Sequence, residues 1–258
     1  MVDTHAHLSI CEPPDAELVA AASEAGVHRI LTVGIDEASN REAVRAAEAH
    51  RAVFASVGRH PNSAAGFDDE AAADIEALTA HPRVVAVGET GLDYYRDGAP
   101  RDEQRRAFEA QIGVARGAGL PLIIHLRDRD GGEQGDGAVA EAFSMLDRLA
   151  GNATVILHCF SATDRVEEAA DRDWYCSFAG NLTYPRSHAL REAAATLPDH
   201  LLLVETDAPF LAPQPVRGKP NAPANVVATA STLAEARDTS YEGLERTVED
   251  NAHRALGW

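Results

Sequence analysis

The sequence predicts an α/β fold, a single (β/α)8 TIM barrel, and three observations carry that prediction. Eight short runs rich in Val, Ile and Leu recur along the 258 residues. Most of the gaps between them hold a stretch with the apolar periodicity and length of a helix. Eight such units in roughly 250 residues suit a closed barrel better than an open doubly wound sheet.

The runs fall near residues 2–7, 28–34, 53–58, 84–89, 121–125, 154–159, 174–179 and 201–206. Each is too short for a helix and apolar on both faces, as a buried parallel strand must be. Helical periodicity marks 15–25, 37–50, 68–80, 102–118, 137–149 and 163–171, and a last helix is expected at 240–255. The acidic, glycine-rich segment 128–137 reads as a mobile loop after the fifth strand. The proline-rich stretch 209–223 reads as the loop after the eighth. Both belong at the C-terminal mouth, where such barrels keep their active sites. No linker composition interrupts the chain, so residues 1–258 are expected to form one domain.

The composition narrows the function. The 41 Asp and Glu outnumber the 23 Lys and Arg, for a net charge of −18, which argues against a broad duplex-binding surface. Any attraction for phosphate must come from a small local site or from bound metal. No apolar run approaches the ~20 residues that span a membrane. The N-terminal segment lacks the basic start and apolar run of a signal peptide. Cys11, Cys159 and Cys176 are scattered thiols rather than a disulfide framework. A cytoplasmic location is expected.

Ionisable residues recur where the strands end. His5 and His7 stand two apart and share one strand face. Glu89 ends the fourth run, His125 the fifth, His158 the sixth, and Glu205-Thr206-Asp207 the eighth. Such groups are costly in a barrel core unless paired or metal-bound. One polar end is unremarkable as a signal, but five in register point to a converging site. Four imidazoles with carboxylates exceed one tetrahedral site, so two divalent ions are expected; the ligand types suit Zn, Mn, Fe, Co or Ni and permit Mg less comfortably, and Mg, Mn or Zn are the expected cofactors. His5, His7 and Asp207 would hold one, His125 and His158 the other, with Glu89 bridging. Coordinated water is then the nucleophile and Asp207 its base. Glu205 assists the second ion, receives a proton, or hydrogen-bonds a ligand histidine. Arg59, Arg127, Arg217 and Lys219 lie near the mouth and suit phosphate oxygens. Tyr94 and Tyr95 could stack on a base.

These words together resemble the TatD family of metal-dependent deoxyribonucleases, within the amidohydrolase-like barrels. The matching segments are Asp3-Thr4-His5-Ala6-His7-Leu8, Gly58-Arg59-His60-Pro61, Gly88-Glu89-Thr90-Gly91-Leu92-Asp93-Tyr94-Tyr95, Ile124-His125, His158-Cys159-Phe160-Ser161, Glu205-Thr206-Asp207-Ala208-Pro209 and Arg217-Gly218-Lys219. They span nearly the whole chain in family order. The resemblance implies a two-metal centre ligated by His5, His7, Glu89, His125, His158 and Asp207. It implies that His60 lies near the substrate phosphate and that Glu205 acts at the metal site. The implied activity is hydrolysis of DNA phosphodiesters from the 3′ end of single strands, with Glu89, Asp207 and Glu205 as the catalytic carboxylates. His60, Arg127, Arg217, Lys219 and Tyr94 are the expected substrate contacts, and a monomer is expected. The sequence departs from the family pattern at Asn62, where a second histidine is usual, and at Leu126-Arg127, 128–137 and Asn221-Ala222-Pro223. All four lie where substrate would rest.

Two other functions compete. A hydrolase of small-molecule esters, amides or lactones shares the barrel. Its subfamilies often bridge their metals with a carboxylated lysine, and Lys219, the sole lysine, stands in a loop. A non-catalytic binding module would not need the full set of carboxylates.

Overall fold

The computed structural model describes residues 1–96, 98–129 and 137–258. Eight strands form one parallel sheet in sequential order: β1 (Val2–Ala6), β2 (Arg29–Val33), β3 (Val53–Val57), β4 (Val84–Asp93), β5 (Leu122–Arg127), β6 (Val155–Leu157), β7 (Tyr175–Phe178) and β8 (Leu202–Val204). A single bridge between Ala6 and Ala208 closes the sheet into a barrel. The seam is reinforced by His7 N–H donating to Ala208 O at 2.7 Å and Asp207 N–H to His5 O at 2.8 Å. Asp3 is wholly buried there. Its carboxyl accepts from the Thr206 backbone N–H at 2.8 Å and the Thr206 hydroxyl at 2.6 Å. Asp3 thus stitches the seam and stands outside the histidine cluster.

The helices around the sheet begin and end where their sequences dictate. Asp36 caps α2 (Glu37–Ala49) in a reciprocal capping box with Ser39. Asp68 caps α3 (Asp69–Thr79), and α1 (Asp15–Glu24) precedes both. The chain leaves α4 (Arg101–Ala118) at Gly119, whose φ of +67° suits a residue without Cβ. Around the other half run α5 (Ala138–Leu149), α6 (Val166–Ala170), α7 (His188–Thr196), α8 (Val226–Ala236) and α9 (Tyr241–Leu256).

Three findings differ from the sequence expectation. The helices α7 and α8 were not marked by periodicity: α7 buries mostly alanines, and α8 opens with β-branched residues of weak helix propensity. The strand β4 runs four residues past Glu89, to Asp93. The strands β6 and β8 stop short, so His158, Glu205 and Asp207 stand just beyond them. There the backbone turns, with positive φ at Cys159 and Asp207. Of the segment 128–137, residues 130–136 lie outside the described residues.

Buried side-chain amides fix the strand ends that carry the site. Asn40 of α2 gives and takes a hydrogen bond with Gly58, through Nδ2 to Gly58 O at 3.0 Å and Oδ1 from Gly58 N–H at 2.9 Å. Gln111 of α4 does the same for Arg59, at 3.1 and 2.7 Å. Gln104 accepts from Asp93 N–H at 2.9 Å and donates to Asp93 O at 3.0 Å. Each amide satisfies backbone groups that have no partner strand, and such pairs contribute about 1 kcal/mol per bond net.

Candidate metal centre

Glu89 is the centre of the site. Its carboxylate, 3% exposed, lies within 3.5 Å of five imidazoles. Oε2 faces His5 Nε2 at 3.4 Å and His7 Nε2 at 3.5 Å. Oε1 faces His125 Nδ1 at 2.7 Å, His158 Nε2 at 3.0 Å and His60 Nε2 at 3.5 Å. Asp207 closes the first side, with Oδ1 3.5 Å from His7 Nε2 and 3.9 Å from His5 Nε2. Two glycines permit this convergence. A Cβ at Gly88 would stand 2.5 Å from Ile123 O, and one at Gly91, where φ is +140°, 2.1 Å from His125 O. β4 and β5 approach closely enough to seat Glu89 against His125 only because both positions lack a side chain.

The outer ring nitrogens settle which inner ones carry lone pairs. His7 Nδ1 lies 2.9 Å from Val33 O. A carbonyl only accepts, so Nδ1 carries the proton and Nε2 offers a lone pair inward. His158 Nδ1 meets Glu205 Oε1 at 3.1 Å, and His125 Nε2 meets Asp93 Oδ2 at 3.3 Å. Glu205 holds the proton of His158 Nδ1, so His158 Nε2 also turns a lone pair toward Glu89. Asp93 makes no formed hydrogen bond to His125 Nε2, but its nearby charge favours the proton on that nitrogen and the lone pair on Nδ1. Lone pairs facing a carboxylate repel unless something positive lies between them.

Protonation relieves the conflict without a cation. Burial pushes the His158 ring down, yet Glu89 and Glu205 together hold it well above its usual value. His125 is likewise raised by Asp93 and Glu89 against the pull of burial. Burial alone would raise Glu89, but the imidazoles of His158, His60 and His125 hold it well below the carboxylate range. Burial and the neighbouring His158 depress His5 to about 4, and burial depresses His60 to about 3, so both stay neutral. Protons thus stand where cations would. The fully buried His5 Nδ1 and Glu205 Oε2 have no hydrogen-bond partner, the second sign of an incomplete donor set. Imidazole and carboxylate donors clustered as His5-His7-Glu89 and His5-His158-Glu205 fit divalent transition metals, and in the third cluster, His60-Glu89-His125, His60 stands beside the donors rather than among them.

The other predicted residues are placed as follows. Glu205 Oε1 also accepts from Cys159 N–H at 2.8 Å, which fixes it beneath His158. His60 Nδ1 accepts from Asn62 N–H at 3.0 Å, so Nε2 carries the His60 proton and points at the cluster. Arg127 is exposed and stacks over Tyr95 at 3.9 Å, and Arg217 stacks over Tyr184 at 4.1 Å. Lys219 is exposed in the loop after β8. Arg59 is tied to Glu37 and Ser63 O. The structure does not bring Tyr94 to the cluster. Its hydroxyl donates to Glu141 of α5 at 2.6 Å and Arg101 of α4 covers its ring, so it fills the space between these helices.

The sequence reading names Asp93 and Asn62 but does not give their roles. Asp93 is 1% exposed. It faces His125, accepts from Asn62 Nδ2 at 2.9 Å, and accepts from the N–H groups of Tyr95 and Arg96, each at 2.9 Å. Asn62 therefore links His60 to Asp93, and Asp93 to His125. The signal was strand parity: Glu89, Gly91 and Asp93 alternate in step, which is visible only if β4 is extended past Glu89.

Comparison with known proteins agrees with this geometry. The family model described as TatD related DNase matches residues 2–257. The chain is 41% identical over 270 residues to "Uncharacterized metal-dependent hydrolase TatD" of Mycobacterium tuberculosis, covering 100% of this chain and 99% of that one. It is 34% identical over 246 residues to "3'-5' ssDNA/RNA exonuclease TatD" of Musicola paradisiaca, covering 92% and 89%. Among solved structures, the TatD homologue YJJV of Escherichia coli superposes with a TM-score of 0.89 at 25% identity, over 100% and 98% of the two chains.

Proposed function

The chain belongs to the TatD related DNase family of metal-dependent hydrolases, and from that premise we propose that it cleaves nucleic-acid phosphodiesters from the 3′ end of single strands. The observation that carries this reading is the set of inward lone pairs around Glu89. His5, His7, Glu89 and Asp207 would hold one divalent ion and Glu89, His125 and His158 a second. Bound there, the two ions supply Lewis acidity and lower the pKa of water. The exonuclease names of relatives such as the one from Musicola paradisiaca support the choice of substrate.

The chain's own residues do the rest. Asp207, at the rim of the cluster with its side chain 13% exposed, takes the proton of the attacking water. His60, neutral and carrying its proton on Nε2, donates to a non-bridging phosphate oxygen. Glu89 keeps the two ligand groups at a fixed spacing, and Glu205 holds the His158 ring in one tautomer. Arg127, Arg217 and Lys219 offset the acidic surface for the approaching strand. Tyr94 braces the rim without touching substrate. The domain is the whole chain, 1–258, acting as a monomer in the cytoplasm, a compartment that suits the free Cys11, Cys159 and Cys176. Among the described residues no helix is long and apolar enough to cross a membrane.

The test is degradation of 3′- and 5′-end-labelled single-stranded DNA, with EDTA and Asp207→Asn as controls. A ladder from the 3′ end, lost in both controls, is expected. No cleavage with Mg²⁺, Mn²⁺ or Zn²⁺ by protein that holds two metals would return the reading to a small-molecule hydrolase.

A further inference from the structure

Among the described residues, three large apolar side chains are exposed: Ile10, Tyr95 and Phe210. All three follow the C-terminal ends of strands, namely β1, β4 and β8. These are the strands whose ends carry His5, His7, Glu89 and Asp207. The apolar surface of an otherwise strongly acidic protein is therefore gathered around the mouth of the site.

Phe210 is the most exposed of the three, at 51%, and it meets the cluster directly. Its ring centre lies 6.1 Å from that of His7, edge-on at 71°. The backbone beneath it has little freedom. Phe210 N–H donates to Asp207 O at 2.8 Å, and Asn221 N–H donates to Pro209 O at 3.0 Å. Leu211 adopts φ +48°, and its carbonyl presses on Gly180, where a Cβ would stand only 2.0 Å away. The loop thus holds a flat apolar ring in water, beside a metal-site histidine and in the same loop as Arg217. An aromatic ring so placed loses little entropy when a flat partner covers it.

We propose that Phe210 is a stacking platform for a nucleobase flanking the scissile phosphate. The proposal rests on the nuclease reading above and names what selects the strand. Bases in a duplex have both faces covered by their neighbours, whereas an unpaired base offers one to a protein ring. The exposed ring therefore favours single strands or frayed ends without any hydrogen-bond readout of sequence.

The experiment compares single-stranded oligonucleotides that are intact or carry an abasic site at the terminal or the penultimate nucleotide. For the wild type, kcat/KM should favour the intact strand by about fivefold or more at one of the two positions. In Phe210→Ala that ratio should fall to about two or less, chiefly through KM, with metal content by elemental analysis equal to wild type. Phe210→Trp should keep the ratio. Phe210→Leu, which keeps apolar bulk without a flat face, should not. Cleavage with an unchanged ratio in Phe210→Ala would overturn the proposal and leave the nuclease reading standing. Dissociation of an oligomer by Phe210→Ala, with the ratio unchanged, would make a second copy the occupant and overturn it also. Absence of any cleavage by wild type would overturn both.

Discussion

Replacing Asp93 with asparagine changes no volume and should nevertheless weaken the second metal position. Asp93 Oδ1 receives the N–H groups of Tyr95 and Arg96, so the asparagine carbonyl takes that place. Its NH2 then occupies the Oδ2 position, facing Asn62 Nδ2 at 2.9 Å and His125 Nε2 at 3.3 Å. Two attractive contacts thus become donor–donor contacts, and Asn62 relieves its own by turning its amide, whose Oδ1 has no other partner. The imidazole can relieve the other by moving its proton from Nε2 to Nδ1. That move puts the proton on the nitrogen that lies 2.7 Å from Glu89, and no lone pair is left there for an ion. A buried hydrogen bond left unmade costs about 1–3 kcal/mol, and loss of a carboxylate behind a ligand histidine typically lowers metal affinity about 10–100-fold. Titration of the metal-free protein with Zn²⁺ or Mn²⁺ should show the weaker-binding ion displaced by that factor, with the ion near His5 and His7 shifted less than about threefold. Asn62→Ala removes one donor without inverting any, so it should shift the same ion by less than about tenfold. If Asp93→Asn bound both ions as tightly as wild type, with an unchanged melting temperature, the tautomer argument would fail.

Glu89→Ala should fold but hold neither ion, with hydrolysis down about 10³-fold or more; retention of both metals on elemental analysis would dispose of the bridging role. Metal uptake should release protons, because Glu89 and Glu205 hold His158 well above its ordinary value and Asp93 and Glu89 raise His125, so both favour the protonated ring while ligation needs them neutral. Affinity should therefore climb with pH, and calorimetry in buffers of different ionisation enthalpy should count the protons; none released at pH 7 would refute the charge assignment. Burial and the adjacent Glu141 push the Tyr94 phenol up to about 12, so the fold favours its protonated form. That stability is complete below the unfolded value of about 10 and is lost as pH rises through about 12. Tyr94→Phe should cost roughly 1 kcal/mol at neutral pH in urea unfolding and flatten the alkaline fall; an unchanged slope above pH 10 would assign it to other groups.

The barrel was legible because buried parallel strands are written as short apolar runs, and because His5, Glu89, His125, His158 and Asp207 break those runs at equivalent points. The helices α7 and α8 were not, since alanine carries little hydrophobic contrast and the Val-Val start of α8 looks like a strand. Tyr94 was misplaced for a different reason. It follows Glu89 closely in sequence, yet Asp93 and Gln104 end β4 with the chain turning outward, so Tyr94 meets α4 and α5 instead of the mouth. Asp93 itself was hidden by ending the fourth strand too soon. Side chains that hold distant backbone, as Asn40 and Gln111 do, leave no spacing signature, because their partners are backbone groups far away in sequence.

The seam between β8 and β1 has one further consequence. Every other neighbouring pair of strands is joined by a ladder, whereas β1 and β8 share a single bridge and a few flanking bonds. An ion held by His5, His7 and Asp207 would straddle that gap and act as a clasp between the first strand and the last, closing a ring of roughly 200 residues. The clasp would fasten only after the last strand had docked, so it would reward completion of the barrel rather than guide its early assembly. Metal supply would then set how long the finished molecule survives as well as how fast it works: at a thousandfold excess over its dissociation constant such an ion contributes about 4 kcal/mol against unfolding. A starved protein would open first at the joint where its chemistry takes place.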